Sequence, residues 1–141
     1  MFYRWLRQLV RAVEIMIETH ISEAGLTITP LQLMVLGMLC KQNGQRPMDL
    51  AAAVGYNATS FTPIIDSLMI GDTPWIEKRA NINDRRSVLL YLTPYAFEQR
   101  DQILAVYAVA EKGMAAQIDT FISRLPVLAP DSTEADTVAV L

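Results

Sequence analysis

The sequence predicts a mainly α-helical chain with one small β-hairpin, and three observations lead to this prediction. Apolar residues recur at three- and four-residue steps through residues 2–24 and again through 94–125, the spacing of one helix face. Asp49–Leu68 contains two short helical patterns, separated by the turn residues Gly55–Asn57. Trp75–Arg79 is typical of a strand, and after a polar centre Ser87–Thr93 alternates, with Val88, Leu90 and Leu92 on one side, as in a hairpin. Together they predict a helix-turn-helix followed by a β-wing, with a long helix on either side.

Composition bounds the class of protein. A chain of 141 residues, 52% hydrophobic and 19% charged, fits one globular domain with its own core. The net charge of -3 weighs against a nucleic-acid partner, although such a partner needs only a local basic patch. The single cysteine, Cys40, excludes an internal disulfide and fits a reducing compartment. We find no membrane-spanning run, export signal or metal-site spacing, and we expect a cytoplasmic protein without a cofactor.

The first two helical patterns differ in character. The apolar stripe of residues 2–24 fits either a core-facing helix or a dimer-forming arm, and Gly25 ends it. Thr29-Pro30 begins the second helix with an N-cap hydroxyl and a first-turn proline. That helix is apolar nearly all round, which predicts burial on most sides. Cys40 lies near the end of this helix, and two interpretations of it stay open. It is a packed thiol, or it is a redox sensor whose pKa is lowered by the adjacent Lys41.

The helix-turn-helix begins at Pro47, and Asn57 caps its second helix. Small residues before Gly55 allow the two helices to approach closely. In such a motif the second helix enters the DNA major groove. Between Tyr56 and Asp72 there is no Lys or Arg, so this helix offers no cationic side chain to bases or phosphates.

The hairpin is predicted as a strand at Trp75–Arg79, a polar tip at Asn81–Arg86 and a second strand at Ser87–Thr93. The tip would carry Arg85 and Arg86. Two interpretations stay open. These arginines contact phosphates or a minor groove, or the tip is a solvated turn whose charges pair with Glu77 and Asp84.

Thr93-Pro94 begins a last helix that runs to about Leu125. About 30 residues make a helix about 45 Å long, more than a small wing-and-helix core can cover. The excess apolar surface predicts a second copy of the chain. We expect one domain over residues 1–125, with a lobe at 29–93, dimerisation helices at 2–24 and 94–125, and an acidic tail at 126–141 whose composition permits mobility.

Two segments resemble the MarR family of winged helix-turn-helix transcription regulators. Asn83–Thr93, NDRRSVLLYLT, is similar to that family's wing signature, and Ser60–Leu68, SFTPIIDSL, is similar to the recognition helix of its organic-hydroperoxide regulators. Those regulators carry their reactive cysteine in the first helix, whereas Cys40 is in the second, so peroxide sensing is not implied. The resemblance implies a homodimer, with each recognition helix in a major groove and each wing at the adjacent minor groove.

The resemblance also implies roles for individual residues. Arg85 would be the groove contact of the wing, and Asp84 and Arg86 would brace the wing as a pair. Thr59, Ser60, Thr62 and Pro63 would face DNA, beside the capping Asn57. A small-molecule effector would bind in a crevice between the long helices and the lobe, which Trp5, Tyr107 and His20 could line.

We therefore predict a dimeric DNA-binding transcription regulator that binds palindromic double-stranded DNA. Its phosphate contacts would come from basic side chains of the lobe: Lys41, Arg46, Arg79, Arg85 and Arg86. The alternative is a winged-helix module for protein interaction or dimerisation that binds no DNA. An enzyme is not expected, because the single histidine, His20, lies on an apolar stripe and no catalytic constellation can be assembled.

Overall fold

The structure is a computed structural model, and it describes residues 2–124. Within them the chain forms six helices and one two-stranded antiparallel sheet, in the predicted order. The elements are α1 Phe2–Glu23, α2 Pro30–Lys41, α3 Pro47–Val54, α4 Ala58–Leu68, β1 Ile76–Asn81, β2 Asp84–Leu92, α5 Pro94–Glu98 and α6 Arg100–Ser123. The mainly helical fold with a β-wing is confirmed. The predicted acidic tail at 126–141 lies outside the described residues.

The predicted helix starts are present with their capping hydrogen bonds. The Thr29 hydroxyl accepts from the Gln32 backbone N–H at 3.2 Å, and the Gln32 side-chain oxygen accepts from the Thr29 N–H at 2.9 Å. This reciprocal pair is a capping box, which satisfies two otherwise unpaired donors at the start of α2. At α4 and α5 the side chains of Asn57 and Thr93 likewise accept from a backbone N–H of the first turn.

One helix prediction is wrong in extent, because the closing helix is divided at Gln99. The Gln99 N–H donates to the carbonyls of Ala96 and Phe97, and α6 begins at the next residue. No proline or glycine marks the division in the sequence. Tertiary contacts lie just beyond it: Arg100 donates to the Cys40 carbonyl at 3.3 Å, and the Gln102 side chain donates to the Ala24 carbonyl.

Helix α2 lies at the centre of the core, as its apolar sequence predicts. Leu33, Leu36 and Leu39 are fully buried, in one cluster with residues of every neighbouring element. The buried partners outside α2 include Leu50, Phe61, Leu68, Ile76, Leu90, Leu92 and Ile103. Both the helix-turn-helix and the hairpin are therefore fixed to the same central helix.

Helix α6 packs on α2 and on α1. At the α2 crossing, Gly37 faces the Tyr107 ring so closely that a Cβ atom on residue 37 would overlap it. Along α1, the Trp5 and Phe121 rings meet edge to face, with centroids 6.2 Å apart. Exposed apolar side chains remain on both helices, among them Phe2, Tyr3, Leu6 and Val10 on α1 and Met114, Ile118 and Ile122 on α6. Among the described helices, none is long and apolar enough to cross a membrane.

The hairpin has a shorter tip than predicted. The strands pair in continuous register from Ile76 with Leu92 to Ala80 with Val88, and only Ile82 and Asn83 form the turn. The predicted tip at Asn81–Arg86 is thus wrong, since Asp84, Arg85 and Arg86 belong to β2. The Asn81 side chain accounts for the difference: it accepts from the Asn83 N–H and donates to the Ser87 hydroxyl, which closes the turn early.

Candidate nucleic-acid interface

Helix α4 presents a polar stripe opposite its buried face. Phe61, Ile65 and Leu68 are buried against the core. Thr59, Thr62, Pro63 and Asp66 are exposed at offsets of three, four and seven residues, which is one face of a helix. The predicted contact residues Asn57, Thr59, Ser60, Thr62 and Pro63 are all exposed. The side-chain oxygen of Asn57 is already engaged, because it caps the helix by accepting from the Ser60 N–H at 2.8 Å.

Pro63 lies inside α4 and removes one backbone donor from the exposed side. In a regular helix the N–H of residue 63 would donate to the Thr59 carbonyl. Because Pro63 has no N–H, that carbonyl must accept a hydrogen bond from a group outside the helix. Thr62 donates its hydroxyl proton to the Ala58 carbonyl at 2.9 Å, so its hydroxyl oxygen is left as an acceptor. The stripe is therefore rich in acceptors and poor in donors.

The turn between α3 and α4 sets the direction of the stripe. Gly55 adopts φ 79°, a left-handed conformation that glycine reaches without steric cost. The Tyr56 N–H then returns to the Ala51 carbonyl at 2.8 Å, which closes the end of α3. α4 follows directly after this turn, and the two helices form a helix-turn-helix.

The wing carries two exposed arginines, Arg85 and Arg86, on β2. Arg85 and Arg86 take part in no ion pair with any of residues 2–124. The expected pair between Asp84 and the Arg86 guanidinium is absent there. Instead the Asp84 carboxylate accepts from the Arg86 backbone N–H at 3.0 Å. Asp84 thus holds the β2 backbone and does not engage the Arg86 guanidinium.

Two other predicted phosphate contacts are engaged elsewhere. Arg79 donates to Glu77 at 2.7 Å and lies over the Tyr91 ring, 4.3 Å from its centroid. Lys41 lies 3.6 Å from Glu111 and over the Tyr107 ring, on the α6 side of the molecule. The charge-paired interpretation of the hairpin therefore applies to Arg79. Arg46, at the start of α3, is exposed and has no ion pair within the described chain.

Lys78 is a basic residue of the hairpin that is not among the predicted contacts. Lys78 pairs across the hairpin with Leu90, whose side chain is buried, so Lys78 shares the sheet face that turns toward the helices. It lines a cavity of about 150 Å³ together with Thr62 and Asp66 of α4. The sequence could have shown that Lys78 lies on this face. Ile76 and Lys78 are two residues apart, and residues two apart on a strand lie on the same side of the sheet.

The residues suggested for an effector crevice are not brought together. Trp5 and His20 are 15 residues apart on one helix, a separation of about 22 Å. Trp5 lies against Phe121, His20 is 3.8 Å from Glu23, and Tyr107 packs on α2. A different, polar cavity of about 360 Å³ joins the end of α4 to the α1–α2 loop and the start of α6. Its lining includes Gln32, Ser67, Asp72, Trp75, Tyr95, Gln99 and Gln102.

Cys40 is buried, with 6% of its surface exposed. Burial raises the pKa of its thiol, and the nearby positive charge of Arg100 opposes that increase. A raised pKa keeps the sulfur protonated and unreactive at neutral pH. This environment is that of a packed thiol. No group of three metal-ligating side chains comes together anywhere in residues 2–124.

The helix-turn-helix and the antiparallel hairpin, with α1 and α6 beside them, define a winged-helix fold. No protein-family model and no curated protein sequence matches the chain. Solved structures do match it. Wild-type MarR from E. coli superimposes with a TM-score of 0.60 at 20% identity, over 92% of this chain and 97% of that one.

Two further solved structures come from proteins with a described role in DNA binding. CouR, a transcriptional repressor bound to a 23-mer DNA duplex, matches with a TM-score of 0.64 and 21% identity, over 88% of this chain and 89% of that one. Bordetella bronchiseptica BpsR, whose DNA binding is regulated by 6-hydroxynicotinic acid, matches with a TM-score of 0.67 and 17% identity, over 93% and 94%. At these identities the likeness is one of fold.

Proposed function

We propose that the protein is a dimeric DNA-binding transcription regulator, with α4 in the major groove and the wing at the minor groove or backbone. The observation that carries this proposal is the pair of exposed wing arginines, Arg85 and Arg86, which form no ion pair within residues 2–124. A structure of the same fold, that of CouR, is bound to a DNA duplex. The proposal assigns direct contacts to Arg46, Asn57, Thr59, Ser60, Thr62, Pro63, Arg79, Arg85 and Arg86, with Asp84 bracing the wing.

Affinity in this proposal comes mainly from the wing. Ile76–Leu92 contains four basic and two acidic residues, a local charge of +2 in a chain of net charge -3. Phosphate contacts release counterions and give affinity without sequence preference. α4 carries one charge, that of Asp66, so its contribution is positioning and base contact. Arg79 is held by Glu77 and Tyr91 and contributes less than Arg85.

The proposed dimer forms through α1 and α6. These helices pack on each other within one chain and still expose a row of large apolar side chains, including Leu6 and Val10 on α1 and Ile118 on α6. A second copy would remove this surface from water. A two-fold dimer places two copies of α4 on one duplex, which is why a palindromic site is part of the proposal.

We place the effector of this proposal in the polar cavity beside Gln32 and Ser67. The Gln32 amide donates to the Ser67 hydroxyl at 2.9 Å, and this bond ties the start of α2 to the end of α4. Asp72 is the one charged residue of the cavity lining within residues 2–124, and no Lys or Arg of that part of the chain belongs to it. The effector class is therefore neutral or cationic. Release of a fluorescent duplex by uncharged or cationic aromatic compounds supports this assignment, and release by aromatic carboxylates alone contradicts it.

The wing assignment is tested with Arg85→Ala. Fluorescence anisotropy with a palindromic duplex, over a range of salt concentrations, gives the affinity and its salt slope. Loss of one phosphate contact should weaken binding and reduce the slope of log K against log salt by about 1. Lys112→Ala on α6 removes the same charge from an exposed site away from the wing and serves as control. Equal behaviour of the two variants would show that Arg85 makes no phosphate contact.

The alternative is a winged-helix protein-interaction module. It predicts no retention on any duplex even at about 50 mM salt, where non-specific binding is strongest. Selection of bound duplexes from a random pool separates the two functions. A palindromic consensus supports a dimeric DNA-binding protein, and failure to enrich any duplex supports the interaction module.

A further inference from the structure

Asp66 is the only charged residue of α4, and it lies on the stripe that the proposed function turns toward DNA. It follows Thr59 by seven residues and Thr62 by four, so the three side chains occupy one helix face. The Asp66 side chain is in no ion pair with the rest of residues 2–124. Lys78 lines the same small cavity, yet its ammonium is outside ion-pair distance.

A carboxylate on this face has a narrow range of compatible neighbours. It is repelled by phosphates and can only accept hydrogen bonds. In the major groove, guanine presents the acceptors N7 and O6, thymine presents the acceptor O4, and cytosine presents a lone donor, its N4 amino group. Adenine presents a donor at N6 beside an acceptor at N7, so it suits an amide better than a carboxylate. The base edge that matches Asp66 is therefore cytosine.

We propose that Asp66 is a specificity-determining residue that selects cytosine by accepting from its N4 amino group, and that it excludes guanine at the same position. This inference rests on the proposed function, because it requires α4 to lie in the major groove. It explains how a recognition helix with no Lys or Arg can still read a base. Specificity then arises partly from exclusion of guanine, because its acceptors N7 and O6 would face the Asp66 carboxylate, which is also an acceptor.

The test is selection of bound duplexes from a random pool by the full chain and by Asp66→Asn. The wild-type consensus should contain cytosine at a symmetric pair of positions, with guanine at those positions weakening binding roughly ten- to a hundredfold. The amide that Asp66→Asn introduces can both donate and accept, so the preference at that pair of positions should change to adenine. The rest of the consensus should remain the same.

Asp49→Asn is the matched control, because Asp49 is also exposed and lies in the first turn of α3. It should leave the consensus unchanged. Asp66→Ala provides a second variant and should lose the preference at the one pair of positions. Circular dichroism melting confirms that each variant is folded before selection.

The outcomes separate this inference from the proposed function. Enrichment of one consensus by wild type and Asp66→Asn alike, with tighter binding of every duplex by the variant, would show that Asp66 is only a repulsive charge. That result overturns the inference and leaves DNA binding intact. If wild type enriches no duplex, the proposed function fails, and the inference fails with it.

Discussion

At Gly37 the packing of α2 on α6 leaves no room for a side chain. A Cβ atom there would overlap ring atoms of Tyr107, a large group that cannot move without disturbing the crossing. We predict that Gly37→Ala lowers the free energy of unfolding by about 1–2 kcal/mol, because overpacking outweighs the gain in helix propensity. Urea denaturation measures this difference. Gly113→Ala is the control: its added methyl meets the flexible Met16 side chain, so it should be neutral or stabilising.

Cys40 predicts a pH dependence of stability. Burial raises the pKa of its thiol in the folded protein. Its contribution to stability is therefore complete below the ordinary thiol pKa of about 8.5 and declines as pH rises through the higher folded value. The difference in urea midpoint between wild type and Cys40→Ala should accordingly shrink between about pH 8 and about pH 10. A difference that is constant with pH would mean that the folded thiol titrates normally.

The basic residues show what sequence can and cannot predict about the candidate site. Lys41, Arg46, Arg79, Arg85 and Arg86 were equivalent as phosphate contacts in the sequence. In the structure Lys41 is close to Glu111, far along the chain on α6, and Arg79 lies over Tyr91 across the hairpin. Partners so distant in sequence depend on helix packing and strand register, which local patterns do not fix. The assignment of these residues to DNA stays a prediction.

At the scale of the element, the N-terminus of α2 offers a direct measure of local stabilisation. Thr29→Ala removes the hydroxyl half of the capping box and should cost about 1 kcal/mol of unfolding free energy. Thermal melting or urea denaturation measures the cost. Thr27→Ala, in the exposed loop before α2, is the control, and an equal effect of both variants would argue against the cap.

Element ends were predicted well where a cap marks them and poorly where it does not. Thr29, Asn57 and Thr93 are local signals, and α2, α4 and α5 begin directly after them. The division at Gln99 has no such signal and coincides with contacts that Arg100 and Gln102 make to other elements. The short wing tip likewise depends on one side chain, that of Asn81, whose two hydrogen bonds the alternation pattern could not reveal.

At the scale of the whole molecule, the exposed apolar faces of α1 and α6 make a prediction about assembly. Ile118→Glu should convert a dimer to monomers in sedimentation velocity and weaken binding to a palindromic duplex, because a buried carboxylate at the contact is costly. Ile70→Glu introduces the same group at an exposed site on the α4–β1 link and should leave the mass unchanged. A monomeric wild type would contradict the proposed dimer, and a dimeric Ile118→Glu would place the contact elsewhere.

The fold as a whole followed from patterns of long range in the sequence, namely helical stripes around one alternating segment. Those stripes did not show which apolar residues the chain itself covers. Leu9 and Val10 are equally apolar in sequence, yet Leu9 is partly buried and Val10 is exposed. Which side chains of α1 are buried depends on how this helix lies along α6. The excess of apolar residues therefore predicted an interface, but it did not show which residues form it.

The two tryptophans of the chain are distributed so that each reports on one half of it. Trp5 on α1 lies against Phe121, and Trp75 before β1 lies against Tyr95 with ring centroids 5.0 Å apart. Trp5→Phe therefore leaves an emission signal from the lobe alone, and Trp75→Phe leaves one from the long helices. Stopped-flow refolding of the two variants would time the assembly of the helices and of the lobe separately within one chain.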